Sequence, residues 1–440
     1  MAQPSNSASF STDVALDVSL DVVVIGAGAA GLLAAARSAE RGRCTLLVEK
    51  NRKPGVKILM SGGTRCNITH DCDAAGIIAA FGSAGSFLHS PLAALGPREL
   101  VELFHDDGLV TKVEPGGKIF PQSDRALDVL NALLGRLERC GGELALEEAV
   151  TGIERDGDAF RVVTAKRTLT CKKLIVTTGG KSYPGCGTTG DGYAWLAAMG
   201  HTIRRPRPAL VPLMSDESWL HELSGLTIPD VLLRVIDPLI DTKATGRRRR
   251  GGLPPGVVIE RRGSLLFTHF GLSGPVAMDV SRAVTAAKSP RDVILVADFL
   301  PAISAFDLEE RLRAAIASDG RRQLANLLSD DLPRRLVEAL VVRSNVPLDR
   351  RGAELSKAER LRFIEQLKQC RISLTGTRGF DKAEVTAGGV ALDEVDSRSM
   401  QSKLVPNLYL AGEILDLDGF IGGYNFQAAF STGWLAGESV

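Results

Sequence analysis

An α/β fold is predicted, in which a Rossmann-like dinucleotide-binding domain is interrupted by an inserted domain of β-strands and helices. Three observations predict it. The β-branched run Asp21-Val-Val-Val-Ile25 leads directly into Gly26-Ala-Gly-Ala-Ala-Gly31 and an Ala/Leu-rich stretch. From about His201 the texture changes, with prolines at 206, 208 and 212 and then short β-like runs alternating with loops. From Ala383 the first texture returns, ending in Gly-rich turns and a last helix. Four segments follow: a tail over residues 1–20, expected to be disordered; a first part of the nucleotide domain, 21–202; an insert, 203–380; and a second part, 381–440.

The elements follow from local chemistry. A continuous apolar run such as 21–25 suits a strand buried on both faces of a parallel sheet. The helix after it closes at Arg41-Gly42, and Thr45-Leu-Leu-Val-Glu49 reads as the second strand, completing a crossover unit of about thirty residues. Residues 51–70, polar and Gly-rich, read as a loop. Residues 92–107 and 124–140 have helical periodicity, with a hairpin over 112–120 turned at Pro115-Gly116-Gly117. Short strands are expected at 144–153, 160–164 and 174–176, the last ending in Thr177-Thr178-Gly179-Gly180. Within the insert, 307–340 and 357–369 read as helices; in the second part of the nucleotide domain a strand is expected at 407–411.

Bulk composition excludes several function classes. Lys plus Arg (53) nearly cancels Asp plus Glu (52), and aromatics are 5%, so neither a global field nor a stacking surface invites nucleic acid. Seven scattered cysteines, with no CxxC, exclude a disulfide framework and standard zinc spacing, and they fit a reducing, cytoplasmic setting. No secretory signal or membrane span is legible, and no metal site is expected. The expected partner is a small molecule rather than nucleic acid or a membrane. The run Arg247–Arg250, between Gly246 and Gly251-Gly252, could grip an anion, although a solvated loop is the ordinary state of such a run.

The chemistry begins at the glycine turn. Gly26 permits the turn, Gly28 lets the backbone approach a pyrophosphate, and Gly31 allows close helix–strand packing. The first N–H groups of the helix, at Ala29 and Ala30, then face the phosphates. Glu49 ends the second strand, where a carboxylate accepts hydrogen bonds from a ribose diol; Lys50 beside it and Val150 are counted with this site. This pattern serves FAD and NAD alike. FAD needs a second contact region, and the strand ending in Gly412-Glu413 suits a ribityl chain. Gly422-Gly423-Tyr424-Asn425 opens a helix whose positive end can face a flavin's pyrimidine edge.

Four segments resemble the aminoacetone-oxidase-type FAD-binding flavoproteins, also described as YhiN-like or BaiN-like. They are Lys57-Ile-Leu-Met-Ser-Gly-Gly-Thr-Arg-Cys-Asn67, Thr178-Gly-Gly-Lys-Ser-Tyr-Pro184, Leu266-Phe-Thr-His-Phe-Gly-Leu-Ser-Gly-Pro275 and Val385-Thr-Ala-Gly-Gly-Val390 with the C-terminal motifs behind it. They recur in the family's order over nearly the whole chain from Asp21. The resemblance implies a fold of the glutathione reductase/fumarate reductase-like superfamily with FAD as cofactor. It also implies that Lys57, Ser61, Gly62, Gly63, Arg65, Cys66 and Asn67 lie along the flavin, with Thr178, Gly179 and Gly180 covering the FAD. Gly412 and Glu413 would hold the ribityl chain, and Tyr424 and Asn425 would flank the isoalloxazine. Two positions depart from the family pattern: Thr64, where a small glycine-like residue is common, and Ile421, where threonine is frequent.

Candidate catalytic groups are Cys66, a thiol beside Arg65, His269, an acid/base offered by the insert or a histidine holding a turn, and Tyr424. The expected activity is FAD-dependent hydride transfer to or from a small molecule, with NAD(P)H as transient co-substrate. Alternatives are an O2-using amine oxidase and a non-catalytic or RNA-modification-associated flavoprotein. One convincing GxGxxG leaves the second half-reaction open.

Overall fold

The computed structural model describes residues 19–239, 253–328 and 330–440. The expected disordered tail, apart from Ser19 and Leu20, and the Arg247–Arg250 run lie outside the described residues.

Strand β1 (Ser19–Ile25), helix α1 (Ala29–Glu40) and strand β2 (Thr45–Val48) form the first crossover, with β1 and β2 parallel from Val22↔Thr45 to Ile25↔Val48. Val22, Val23 and Val24 are fully buried, as a strand covered on both faces requires. The sheet grows by parallel pairing: Glu143–Ala145 joins β2, Thr168–Val176 joins β1, and Leu408–Leu410 joins the far half of Thr168–Val176. The near half of that strand carries the antiparallel ribbon Val150–Asp156/Ala159–Thr164 on the same edge. The return of the chain after the insert therefore completes this sheet rather than starting another.

A second, antiparallel sheet has seven strands, running from Leu213–Met214 to Gly376–Thr377 in the chain. It has its own core, with Phe267, Phe299 and Phe363 fully buried. Between the two sheets, Ile203–Ala209 pairs with Val385–Val390 as a two-stranded ladder. Polar ties across the junction include Arg282 on Asp418 and the Ile421 N–H donated to Asp279 Oδ1 at 2.8 Å.

Three local expectations change. Residues 51–70 contain a helix, Val56–Thr64, that turns non-helical at Ser61, Gly62 and Gly63; the Val-Lys-Ile-Leu-Met stretch forms a turn of helix before the glycines break it. The helix expected at 92–107 is two, His89–Ala94 and Pro97–Asp106, because proline fits a first helical turn but not an interior. The strand expected at 144–153 is split into Glu143–Ala145 and Val150–Asp156, on different neighbours. Among the described residues no helix is long and apolar enough to cross a membrane, and no group of three or more His, Cys, Asp or Glu is placed to hold a metal.

Candidate functional site

A cavity of about 550 Å³ runs from the β1–α1 turn to the junction with the insert. Its first wall is the glycine turn, where each glycine does a different job. Gly26 has φ +102° and a Cβ there would sit 2.8 Å from the Thr177 carbonyl oxygen. A Cβ on Gly31 would lie 1.9 Å from the Gly26 carbonyl oxygen, so Gly31 sets the helix–strand approach. Gly28 differs: a Cβ there meets nothing within 4 Å, and Gly28 caps α1 with no side-chain hydrogen bond. The open space at Gly28 belongs to the cavity, and the first-turn N–H groups of α1 have no side-chain acceptor there.

The neighbouring acids are organised by backbone donors. Glu49 is buried, and its two carboxylate oxygens accept the N–H groups of Ala27 at 2.8 Å and Asn51 at 2.9 Å. Each oxygen keeps a second lone pair for a ribose diol. Lys50 is held by Thr189 and Asp191, and Val150 also lines the cavity.

Further along, four segments meet at Glu413. Its Oε1 accepts the Ser182 hydroxyl at 2.6 Å and the Thr386 N–H at 2.8 Å, while Oε2 faces the Lys57 ammonium at 2.6 Å. The Thr386 hydroxyl in turn accepts the N–H groups of Lys181 and Ser182. Glu413 is thus a structural hub as well as a lining group. Gly412 (φ +78°) lets this corner approach α1, since a Cβ there would be 2.9 Å from the Ala30 methyl. Glu413→Gln keeps the shape but leaves the half-buried Lys57 without a counter-charge, a change expected to cost about 1–3 kcal/mol. Urea unfolding of the apo and FAD-loaded forms measures it, and an unchanged midpoint would show the hub to be dispensable.

Two buried polar atoms of lining residues, Asn67 Oδ1 and Thr178 Oγ1, have no partner within the protein. Orphaned acceptors and donors of this kind are rare unless a ligand meets them. Together with the open cradle at Gly28 and the ordered Glu49 carboxylate, they fit a dinucleotide cofactor. Lys57, Ser61, Gly62, Gly63, Gly179, Gly422, Gly423 and Asn425 also line the cavity. The Asn425 side chain closes the preceding loop, donating to the Gly419 and Phe420 carbonyls and accepting the Gly419 N–H at 2.8 Å.

Several sequence candidates lie elsewhere. Cys66 is fully buried behind the lining, and burial pushes its thiol up to about 12, so it cannot serve as a thiolate near neutral pH. Arg65 lies off the lining, paired with Glu114 and Asp124 and stacked on Phe120. Gly180 packs on Thr386 and Glu413 behind the wall. His269 is exposed at the tip of the Val257–Thr268/Gly271–Ser273 hairpin, edge-on to Phe270 and outside the lining. Tyr424 stacks on His70, with ring centroids 4.6 Å apart, rather than facing the cavity. The structure also bears on the two departures from the family pattern, accounting for the small residue common at position 64 but not for the threonine that replaces it. Thr64 has φ +70°, a left-handed position where a glycine is unstrained and a β-branched residue is not. Ile421 packs with Leu210, Met278 and Val385 in an apolar cluster at the junction.

Sequence reasoning missed Lys118, Phe120, Leu210 and Glu384, all of which line the far end. Glu384 stands directly before the Val385–Val390 segment and was legible by position; no spacing signal marks Lys118.

Residues 20–439 match the family described as HI0933-like protein Rossmann domain. The chain belongs to this family. Relatives of the chain include ribosomal RNA dihydrouridine synthase of Escherichia coli (strain K12), 33% identical over 420 residues, 96% of this chain and 98% of that protein. Another is 3-dehydro-bile acid delta(4,6)-reductase of Clostridium scindens, 29% identical over 95% of this chain and 98% of that protein. Among solved structures, a 3-ketosteroid-delta4-(5alpha)-dehydrogenase from Rhodococcus jostii is 16% identical, with 97% of this chain and 98% of that one covered and a TM-score of 0.49. As an HI0933-like protein with an α/β Rossmann-type domain and a second sheet domain, the chain is an FAD-dependent oxidoreductase.

Proposed function

We propose that this flavoenzyme takes electrons from NAD(P)H and reduces a carbon–carbon double bond conjugated to a carbonyl in a small molecule. FAD, when bound, supplies hydride transfer. The residues that would hold it are those of the glycine turn, Glu49, the Lys57–Asn67 segment, Thr178, Gly179 and the Gly412–Glu413 corner. The observation that carries the reading is the far end of the cavity, lined by Lys118, Phe120, Leu210 and Glu384 where the insert meets the nucleotide domain. Such junctions are the usual place for a substrate.

The names of the relatives support the reaction type. One makes dihydrouridine and the other reduces delta(4,6) bonds, so their substrates differ while both add hydrogen across C=C. That shared bond is what we carry over; the identity of the substrate is not carried over. Lys118 and Glu384 supply an ammonium and a carboxyl to the cavity lining, groups that can serve a substrate carbonyl and its α-carbon.

Anaerobic titration of the purified, yellow protein tests the reading. NADH or NADPH is expected to bleach the flavin, and a conjugated enone to restore the colour under argon, with uridine-containing RNA as the comparison. Bleaching by amines but not by nicotinamides would overturn it in favour of an oxidase. Recovery with RNA alone would overturn the small-molecule part.

A further inference from the structure

The charged side chains that line the cavity are not equivalent. Six are committed to partners within the protein: Glu49, Lys50, Lys57, Glu148, Asp191 and Glu413. Lys118 and Glu384 are not. Among the described residues neither side chain makes a hydrogen bond or an ion-pair contact, although both line the same end of the cavity and each lies within the other's field. Their backbones are fixed, Lys118 by the Thr111–Glu114/Lys118–Pro121 hairpin and Glu384 by donating its N–H to the Leu210 carbonyl at 3.0 Å. An ammonium and a carboxyl held on rigid elements and left without partners where they line a cavity are a recognition pair awaiting a ligand.

Resting on the reduction reading above, we propose that Lys118 binds the carbonyl oxygen of a conjugated enone or enone-like amide and that Glu384 delivers the proton to its α-carbon. The β-carbon receives the hydride that originates with the nicotinamide donor, which is thereby oxidised. The C=C π pair moves toward the oxygen, and Lys118 stabilises the anion that develops there. Glu384 gives its proton to the α-carbon as that pair returns, forming the second C–H bond, and regains a proton from water. The C=C bond is reduced by two electrons and gains two hydrogens in all.

The surroundings of Glu384 suit an acid. Its side chain is open to the cavity, yet protein surrounds that space closely enough for desolvation to hold the carboxyl above its ordinary value. Lys57 and Lys118 oppose that rise and Asp279 adds to it. A group tuned upward in this way keeps its proton nearer to neutral pH, as a general acid requires.

The test uses the FAD-loaded protein and two probes. The first, 4-chlorophenol, is an enolate mimic read by its long-wavelength absorption on oxidised flavin and needs no turnover. Wild type is expected to bind the phenolate form and to lower the pH at which the bound phenol ionises. Lys118→Met should return that ionisation toward the free value. Phenolate affinity should fall on the alkaline side as Glu384 ionises, and Glu384→Gln should remove that fall. No phenolate binding, or binding indifferent to both substitutions, overturns the proposal. The second probe is 2-cyclohexen-1-one, added under argon to dithionite-reduced protein, with ferricyanide as an acceptor that needs no proton on carbon. Glu384→Gln is expected to slow reoxidation by the enone by about 100-fold or more, with FAD content and the ferricyanide rate retained. Wild-type-like enone reduction by Glu384→Gln overturns the proposal. Inertness of the wild type toward the enone, with the phenol results intact, counts against the reduction reading alone.

Discussion

Gly28→Val is expected to give a folded, colourless protein. Its φ of −85° is open to any residue, and a Cβ there meets no protein atom within 4 Å, so the apo fold has no reason to change. The added side chain instead enters the space in front of the α1 N-terminus, where the backbone has to approach a pyrophosphate. Steric exclusion of about 3 kcal/mol corresponds to roughly a hundredfold loss of affinity. Flavin absorbance after gel filtration, together with thermal melts of the apo forms, checks both halves. Gly31→Ala is the contrast: its methyl would fall 1.9 Å from the Gly26 carbonyl oxygen, so it should unfold the turn itself. If Gly28→Val kept stoichiometric FAD, the pyrophosphate could not lie against this turn.

Gly433→Val is expected to destabilise the whole nucleotide domain. Gly433 lies in the C-terminal helix Tyr424–Ser439, which packs along α1. A Cβ there would sit 2.2 Å from the Ala30 carbonyl oxygen and 2.8 Å from the Ala30 Cα. Both are backbone atoms of the first turn of α1, so no side chain can swing away. The helices must separate, at a cost of at least about 3 kcal/mol. Because the displaced turn also carries the cofactor-facing N–H groups, FAD should be lost with stability. Urea midpoints with and without excess FAD measure this. A midpoint within experimental error of wild type would show that the C-terminal helix can slide without consequence.

The two substitutions separate what each kind of information supplied. The glycine turn, Glu49 and the C-terminal Gly412–Glu413 corner were legible because their requirements are local. Positive φ, a missing Cβ and a helix N-terminus are properties of a few consecutive residues. Cys66 and His269 failed as candidates because reactivity depends on surroundings. The same thiol that a cationic neighbour would activate is silenced by complete burial. Thr64 and Ile421 stood out as departures in the sequence, but the left-handed backbone at Thr64 and the apolar cluster around Ile421 required coordinates.

The Rossmann crossover, the second sheet between its two parts and the FAD-binding family are written in short-range patterns and their order, and so could be read from the residues alone. Which lining charges have partners among the described residues and which do not emerges from packing. Lys57 is neutralised by Glu413, 356 residues away, whereas the side chains of Lys118 and Glu384 line the same cavity with no hydrogen-bond or ion-pair partner among the described residues. Pairing between distant side chains is set by packing, and no local spacing encodes it.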